Sequence, residues 1–396
     1  MNSTTASRID NIFNIIAGEV RVPMTDLTGD TEFADLGVDD LLAESIVSKV
    51  AEEMTLELPA ATFNMYPTAD SLQAHLGRVF DSKPVTTVRE KAKPTPLVTG
   101  VSGPLSMVLQ GWIGSSKRIL FLLPDGSGSG MAYAMLPTVD PDICVVALNS
   151  PYIRCSKEQT FSVQGIAAIW ADEIRRRQPQ GPYLLGGWSA GGYYSYEVAK
   201  ILHNNGQRVT KLILIDSPCR LVYGELPMEV VHYLSTHNLM GNWGSKQPPA
   251  WMVNHFDMSI RAIADYVPTP MESSTLPNVY IIWARDGVFK ETSSAQSQLS
   301  YDDKVTRMLM ERPDTDGPLG WDMLFPAIPL KVAQMPGNHF TIVFPPHVSV
   351  CPVGSLPAGL EADHPMLQCS SLSVLLRDAV CGQNAGKKAY WHQYQA

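Results

Sequence analysis

Residues 187–191, Gly-Trp-Ser-Ala-Gly, are the part of the chain best suited to nucleophilic chemistry. The apolar run before them, residues 183–186, is typical of a buried strand, and residues 190–203 have the periodicity of a helix. A serine at such a strand-to-helix turn projects its hydroxyl group where the helix N-terminus stabilises negative charge. The pentapeptide alone occurs by chance in many chains, but in this context it predicts that Ser189 is a nucleophile for acyl transfer.

A serine nucleophile needs a base to accept its proton and an acid to orient that base, and in folds with this motif both follow the serine along the chain. His339 is the best candidate base because it follows a predicted last strand, residues 330–335, and His347 is the reserve. Two aspartates each end a predicted strand, Asp216 and Asp286. Both would lie at the edge of the sheet where active sites form, so spacing leaves both open as the acid, and each also suits a turn or a cap.

Residues 124–128, Pro-Asp-Gly-Ser-Gly, follow an early predicted strand and form a loop rich in glycine. We expect this loop to supply one oxyanion N–H near Ser127, and Ala190 to supply the other, directly after the nucleophile. An ordinary glycine turn is the alternative. Four other histidines fall in helical segments, where exposure to solvent or core packing accounts for them: His203, His232, His237 and His255.

Short apolar runs alternate with helical stretches from residue 118 onwards, which predicts an α/β fold with a parallel sheet and helices on both faces. The predicted strands are residues 119–123, 143–148, 183–186, 212–215, 279–283 and 330–335. Residues from about 218 to 275 interrupt this alternation with further helical segments. We expect a helical lid over the strand ends there, and an ordinary pair of packing helices is the alternative.

The first 80 residues have a different pattern. Apolar side chains recur at helical spacing in three segments, 8–20, 41–54 and 70–80. This spacing predicts a small all-α bundle. Residues 81–104 contain Lys, Pro, Thr and Val without either period, so we expect a flexible linker. The second domain is then residues 105–396, and its last part, from residue 345, is predicted only to contain a helix at 372–380 and a polar tail.

Composition and charge limit the class of protein. Of the 396 residues 45% are hydrophobic and 17% are charged, which is typical of a soluble globular protein of two or three units. The formal net charge is −9, and residues 1–80 contain 13 acidic and 4 basic residues, so this segment carries all of the net charge. We therefore expect no nucleic acid partner, because phosphate repels such a surface.

The sequence also lacks targeting and metal-binding patterns. No apolar run is long enough to cross a membrane, and the first ten residues do not resemble a signal peptide, so we expect a cytosolic protein without a membrane partner. The six cysteines form no CxxC pair and no metal-ligand spacing with histidine. Free, mostly buried thiols and no metal site are the prediction.

Both parts of the chain resemble one family, the terminal carrier-protein and thioesterase domains of fungal non-reducing polyketide synthases. The thioesterase resemblance rests on residues 121–129, 186–192, 215–216, 317–322 and 337–340. It implies an α/β-hydrolase thioesterase with a helical lid, preceded by an acyl carrier four-helix bundle. In such thioesterases the acid follows the strand after the nucleophile helix, so the resemblance implies the triad Ser189, Asp216 and His339.

The carrier resemblance rests on residues 33–42, which are similar to the family's Asp-Ser-Leu attachment motif. Asp40 stands where the motif has the serine that carries phosphopantetheine, and a carboxylate cannot form the same phosphodiester. We therefore expect no phosphopantetheine on this carrier, although the resemblance implies it on a native one. A deliberate Ser→Asp substitution that keeps the protein homogeneous is the favoured explanation, and a natural degenerate carrier is the alternative. Ser45, about one turn into the helix, is a poor substitute.

The resemblance implies release of an aromatic polyketide from a carrier-bound thioester through an acyl-enzyme at Ser189. Release to water, to the hydroxyl group of a second molecule, or to an internal carbanion in a Claisen-type cyclisation are all open. We expect the chain to be a fragment of a much larger synthase, whose other domains are its partners, because it begins directly at the carrier helix. The alternatives are a stand-alone esterase or lipase, which leaves residues 1–104 unexplained, and a non-catalytic interaction module.

Overall fold

The computed structural model describes residues 3–20, 22–27, 29–38, 40–54, 56, 58, 62–81, 104–114, 116–153, 155, 156, 158–240, 248–271, 276–291, 301–313, 317–347, 371–381 and 391–394. Contacts along the chain divide it into two units, Met1–Leu109 and Gln110–Ala396. Most of the predicted linker, residues 82–103, lies outside the described residues. The predicted domain limits, residues 1–80, 81–104 and 105–396, stay a prediction.

The described part of the first unit contains four α-helices. They are α1 (Ser3–Val20), α2 (Asp40–Met54), α3 (Thr62–Met65) and α4 (Ala69–Asp81). Apolar residues at helical spacing give each long helix one inward face, and Ile12, Ile46 and Leu72 are fully buried there. Phe33 and Phe63 add an edge-to-face pair with ring centroids 5.0 Å apart. The three predicted helices are confirmed as α1, α2 and α4.

One sheet contains all of the described strands. These are β1 (Ser106–Gln110), β2 (Arg118–Leu123), β3 (Ile143–Leu148), β4 (Tyr183–Trp188), β5 (Val209–Ile215), β6 (Asn278–Ala284), β7 (Leu330–Met335) and β8 (His392–Tyr394). Their order is β1-β3-β2-β4-β5-β6-β7-β8, and β2 to β7 pair in parallel. The parallel strands are buried on both faces, which is why their sequences are continuous apolar runs.

The described helices of the second unit are α5 (Val163–Arg177), α6 (Ala190–Asn204), α7 (Met228–Thr236), α8 (Ala250–Ala264), α9 (Lys304–Glu311) and α10 (Leu372–Cys381). Helices α7 and α8 lie between β5 and β6, within the predicted lid segment. Helix α9 begins after Asp303, whose side chain accepts the N–H of Thr306 at 2.7 Å. Because β4 to β7 are parallel, the residues that follow them emerge at one edge of the sheet.

Six predicted strands are confirmed as β2 to β7, with small shifts at their ends, and the predicted helix at 372–380 is confirmed as α10. The predicted polar tail contains the short strand β8, which pairs antiparallel with β7. Three residues are too few to show a period, so neither this strand nor the short helix α3 has a sequence signal. None of the described helices is both long enough and apolar enough to span a bilayer.

Leu72 is fully buried in α4, and Gln73 beside it is exposed. Leu72→Ala removes core side-chain atoms, so we expect it to lower the free energy of unfolding of the helical bundle by about 2–5 kcal/mol. Gln73→Ala is the matched control and should change it by less than about 0.5 kcal/mol. Hydrogen exchange of the α4 amides in the full chain, read by mass spectrometry, measures the change in stability in both variants. Equal protection in the two variants would contradict this core.

Candidate active site

Ser189 lies at a sharp turn between β4 and α6. Its backbone adopts φ 57° and ψ −125°, a region that is costly for a residue with a side chain. The turn requires close packing, since a Cβ atom at Gly187 would lie 2.1 Å from the carbonyl oxygen of Gly191. The N–H of Ser189 donates to Ile215 O at 2.9 Å, and the N–H of Gly192 donates to Ser189 O at 3.0 Å. The predicted strand-to-helix context of Ser189 is therefore present.

His339 lies in the loop after β7, and its imidazole ring lies between Ser189 and Asp216. Nε2 is 3.0 Å from Ser189 Oγ, and Nδ1 is 2.7 Å from Asp216 Oδ2. An ionised carboxylate can only accept a hydrogen bond, so Nδ1 carries the ring proton and Nε2 can accept the proton of the Ser189 hydroxyl group. The structure thus brings together three side chains that are far apart in the sequence.

The two sequence alternatives, Asp286 and His347, occupy other places around the same loop. The carboxylate of Asp286 accepts the N–H of Gly337 at 3.0 Å, and the N–H of Asp286 donates to Gly337 O at 2.9 Å. Asp286 therefore holds the loop that carries His339. The ring of His347 lies against Gly337, where an added Cβ atom would lie 3.0 Å from it.

The carboxylate of Asp216 is fully buried and receives three donors. Oδ1 accepts the N–H of Ala284 at 2.9 Å, and Oδ2 accepts both His339 Nδ1 and the Arg312 guanidinium. Burial by itself would raise the pKa of Asp216, but the charge of Arg312 and the hydrogen bond from His339 lower that pKa to about 2. Asp216 is therefore an anion at neutral pH and can stabilise a positive charge on the imidazole ring.

Arg312 is a site residue that the sequence analysis does not predict. It follows α9 directly in the left-handed conformation, with φ 55° and ψ 54°, and its side chain is 2% exposed. Its Nε and Nη1 atoms have no hydrogen-bond partner among the described residues. The proline after it signals the end of a helix, but nothing in the sequence signals that the side chain turns inward. Its charge balances that of Asp216 where solvent is absent.

Backbone N–H groups near Ser189 determine where an oxyanion can bind. Ala190 begins α6 and lines the cavity. Its N–H has no hydrogen-bond partner within the described part of the chain, as is usual at a helix N-terminus. The N–H of Ser127 instead donates to Asp125 Oδ1 at 3.2 Å, and Ser127 is buried outside the cavity wall. Gly126 lines the cavity. The Ser127 amide therefore already has an acceptor in the Asp125 carboxylate, and which N–H of this loop binds an oxyanion stays a prediction.

A cavity that opens to solvent lies beside Ser189 and His339. Helices α7, α8 and α9 supply much of its wall, and they do so largely with apolar side chains, including Leu234, Phe256, Ile260, Ile263, Met308 and Leu309. The segment predicted to be a lid therefore contributes to the wall of the site. Such a wall suits a bulky apolar acyl group that makes few polar contacts.

Trp188, the second residue of the pentapeptide, connects the nucleophile turn to the loop that carries the base. Its indole Nε1 donates to His339 O at 3.0 Å, and the two rings are 5.3 Å apart. Its backbone N–H donates to the hydroxyl group of Tyr133 at 2.8 Å, which in turn donates to Leu123 O at 2.7 Å. The sequence analysis misses Trp188 and Tyr133 because the motif leaves its second position open and Tyr133 lies in a different segment.

The predicted attachment position of the carrier lies at a helix start. Asp40 is the first residue of α2, and Ser45 lies within the same helix. As far as the described ranges extend, no group of three His, Cys, Asp or Glu side chains is placed to hold a metal ion.

Two family models match the chain, and one of them covers more than half of it. The thioesterase domain model matches residues 118–349. The chain belongs to the thioesterase domain family. This match begins at β2 and includes Ser189, Asp216 and His339. A model of the phosphopantetheine attachment site matches residues 10–76, so a carrier domain precedes the thioesterase domain.

Relatives of the thioesterase and carrier domains are fungal polyketide synthases. The chain is 36% identical over 377 residues to the non-reducing polyketide synthase terA of Aspergillus terreus, which is 89% of this chain and 18% of that protein. It is 35% identical over 368 residues to the bikaverin polyketide synthase bik1 of Gibberella fujikuroi, which is 86% of this chain and 18% of that protein. The chain therefore spans less than a fifth of these relatives, and the predicted family resemblance is confirmed.

A solved structure also matches the chain. A four-domain nonribosomal peptide synthetase aligns with a TM-score of 0.48 and 20% identity, over 84% of this chain and 24% of that one. With the family models, the sheet of β1 to β8 and the bundle of α1 to α4, the chain is an α/β-hydrolase thioesterase preceded by a helical carrier. The predicted fold class and enzyme class are confirmed.

Arg312→Met tests the electrostatic balance at Asp216. Without the charge of Arg312, burial is the largest effect on the Asp216 carboxyl group. We therefore expect the pKa of Asp216 to rise above its value in the unfolded chain. The variant should lose about 3–5 kcal/mol of unfolding free energy at neutral pH, because it leaves a buried charge without its partner. Denaturant unfolding at a series of pH values measures this loss. Arg307→Met, at an exposed position of α9, is the matched control.

The contribution of Asp216 to the free energy of unfolding depends on pH with opposite signs in the wild-type chain and in Arg312→Met. With its pKa lowered to about 2, Asp216 stabilises the wild-type fold above about pH 4 and loses this contribution as the pH falls towards 2. With a raised pKa, Asp216 destabilises the variant at neutral pH and this penalty disappears in acid. The difference between the chains should therefore be largest at neutral pH. A difference that does not narrow in acid would contradict the role given to Arg312.

Proposed function

We propose that the thioesterase domain releases an aromatic polyketide from a carrier-bound thioester through an acyl-enzyme at Ser189. The observation that carries this proposal is the position of the His339 ring, 3.0 Å from Ser189 Oγ and 2.7 Å from Asp216 Oδ2. This arrangement offers a base for the serine proton and a buried anion for the resulting imidazolium. The relatives are named as polyketide synthases, which supports a polyketide acyl group as the substrate.

In the first half of the reaction, Ser189 Oγ attacks the thioester carbonyl while its proton passes to His339 Nε2. The carbonyl oxygen becomes negative, and the N–H groups of Ala190 and Gly126 are the proposed donors to it. The C–S bond then breaks, and the leaving thiolate takes the proton from His339. Asp216 keeps the ring in the correct tautomer throughout, so the products are a free thiol and an ester at Ser189.

In the second half, an acceptor removes the acyl group from Ser189. Water gives the free acid, the hydroxyl group of a second molecule gives an ester, and a carbanion within the acyl chain gives a ring by forming a C–C bond. His339 takes the proton of the attacking group, from O–H of water or an alcohol or from C–H where the carbanion forms, and returns it to Ser189 Oγ as the bond from Oγ to the acyl carbon breaks. The three products differ in mass, so mass spectrometry of the product of the complete synthase, with this domain intact or with Ser189→Ala, identifies the acceptor.

Position 40 does not fit phosphopantetheine, which the carrier family implies. The group is joined through a serine hydroxyl oxygen, and Asp40 at the start of α2 offers a carboxylate instead. No step of the reaction above therefore uses this chain's own carrier. We propose that the acyl thioester is presented by another carrier that does hold the group, within a larger synthase.

A fluorophosphonate probe tests the nucleophile. We expect it to label Ser189, as located by peptide mass spectrometry, and Ser189→Ala to lose the label together with at least about 10³-fold in turnover of acyl N-acetylcysteamine thioesters. Ser195→Ala is the matched control, since this hydroxyl group is buried in α6 and donates to Gly192 O at 3.0 Å. It should keep both label and turnover.

Three results would overturn parts of this proposal. A folded wild-type chain without label at Ser189 would favour a non-catalytic module. Faster turnover of simple lipid esters than of aryl or acyl thioesters would favour an esterase or lipase. Label that persists in Ser189→Ala would place the nucleophile elsewhere.

Incubation with coenzyme A and a phosphopantetheinyl transferase tests position 40. We expect intact-mass spectrometry to detect no added group on this chain and one added phosphopantetheine on Asp40→Ser, because only the variant has a hydroxyl group at the attachment position. Asp35→Ser, in the segment before α2, is the control and should gain nothing. Loading of the unmodified chain, for example at Ser45, would contradict the proposal.

A further inference from the structure

His255 is a buried titratable residue that the proposed mechanism does not use. It lies on α8, within the insertion between β5 and β6, and its side chain is completely buried. Burial lowers its pKa to about 4, so the ring is neutral at neutral pH. A neutral ring has one donor nitrogen and one acceptor nitrogen, and a buried ring usually has a partner for each.

Both ring nitrogens of His255 have hydrogen-bond partners. Nδ1 lies 2.9 Å from Gly126 O, and Nε2 lies 2.7 Å from Ser150 Oγ. A carbonyl oxygen only accepts, so Nδ1 carries the proton and donates to Gly126, while Nε2 accepts from the hydroxyl group of Ser150. The backbone N–H of Ser150 donates to Gly128 O at 2.7 Å. His255 therefore contacts the loop of residues 126–128 directly at Gly126 O and indirectly, through Ser150, at Gly128 O.

This loop is packed tightly against α8. A Cβ atom at Gly128 would lie 2.5 Å from the ring of His255, so only glycine permits the observed approach. Ser259, one turn further along α8, donates through its hydroxyl group to Gly126 O at 3.1 Å. The carbonyl group of Gly126 thus receives two donors from a single helix.

These contacts fix the orientation of two successive peptide groups. The peptide between Asp125 and Gly126 has its carbonyl bonded to the N–H of Gly128 at 3.0 Å. The next peptide has its N–H bonded to the carboxylate of Asp125 at 3.2 Å and its carbonyl bonded to His255. With both planes held, the backbone torsions at Gly126, which lines the cavity, are defined. Without the donor at 255 the carbonyl of Gly126 keeps only the hydroxyl donor of Ser259, so the second plane is held less firmly, and glycine has no Cβ atom to restrict it.

We propose that His255 is a positioning residue that sets the oxyanion hole by holding the carbonyl of Gly126. This inference rests on the proposed acyl transfer at Ser189. It makes the insertion part of the catalytic apparatus, since a helix of the insertion orients a backbone donor of the cavity that contains Ser189. The competing interpretation is that His255 only packs α8 against the sheet domain.

His255→Leu and His255→Asn separate the two interpretations. Leucine fills space without a donor, and the asparagine Nδ2 lies near the position of the histidine Nδ1 and can donate to Gly126 O. We expect His255→Leu to lower kcat by about 10- to 100-fold with little change in KM, which is less than the 10²- to 10³-fold effect of losing one oxyanion donor outright. We expect His255→Asn to recover most of this loss. His237→Leu is the matched control, because this histidine of the insertion stacks on Tyr233 and bonds to Tyr233 O at 2.8 Å.

A trifluoromethyl ketone analogue of the acyl thioester adds a readout that packing alone would not change. It forms an oxyanion on Ser189, so its Ki should rise in His255→Leu by the same factor as kcat/KM falls, while the Kd of the free acid stays constant. A folded His255→Leu chain with wild-type kcat, or a folded His255→Asn chain as impaired as the leucine variant, would overturn the inference. A wild-type chain that neither turns over thioesters nor takes the probe would instead overturn the proposed function.

Discussion

The buried negative charge of Asp216 is the constraint on which the rest of the site depends. A carboxylate without water must be neutralised and hydrogen-bonded, and here the donors come from three separate elements: β6 through Ala284, the loop after β7 through His339, and the end of α9 through Arg312. Asp216 itself adopts a left-handed φ of 48° directly after β5. The order of the strands and the inward orientation of Arg312 are both consistent with the need to neutralise the Asp216 carboxylate.

The sequence predicts the residues of the site whose positions follow from strand topology. Ser189, Asp216 and His339 each follow a run that is apolar because parallel strands are buried on both faces, and such strands end at the same edge. The choice of Asp216 over Asp286 needed the family resemblance, because both follow strands and both contact the same loop region. Their different partners, His339 for one and the Gly337 amide for the other, are visible only in three dimensions.

Other parts of the site depend on features without a local pattern. The side chain of Arg312 contacts Asp216, which is 96 residues away in the sequence. The sequence around Arg312 indicates only the end of an amphipathic helix. The sequence shows a glycine-rich loop at residues 124–128 but not that the carboxylate of Asp125 accepts the N–H of Ser127, because turn geometry decides which N–H points outward. Strand β8 is too short for periodicity and exists through its pairing with β7.

The fit between α8 and residues 126–128 has a consequence for exchanging the insertion between related thioesterase domains. A Cβ atom at Gly126 would lie 2.6 Å from the ring of Phe256, and one at Gly128 would lie 2.5 Å from that of His255, so the two stretches form one interlocked seam. A chimera with a recombination breakpoint between residues 150 and 250 takes residues 126–128 from one parent and α8 from the other. Chimeras that move both sides together preserve it, and chimeras that move only the insertion must be redesigned at the seam.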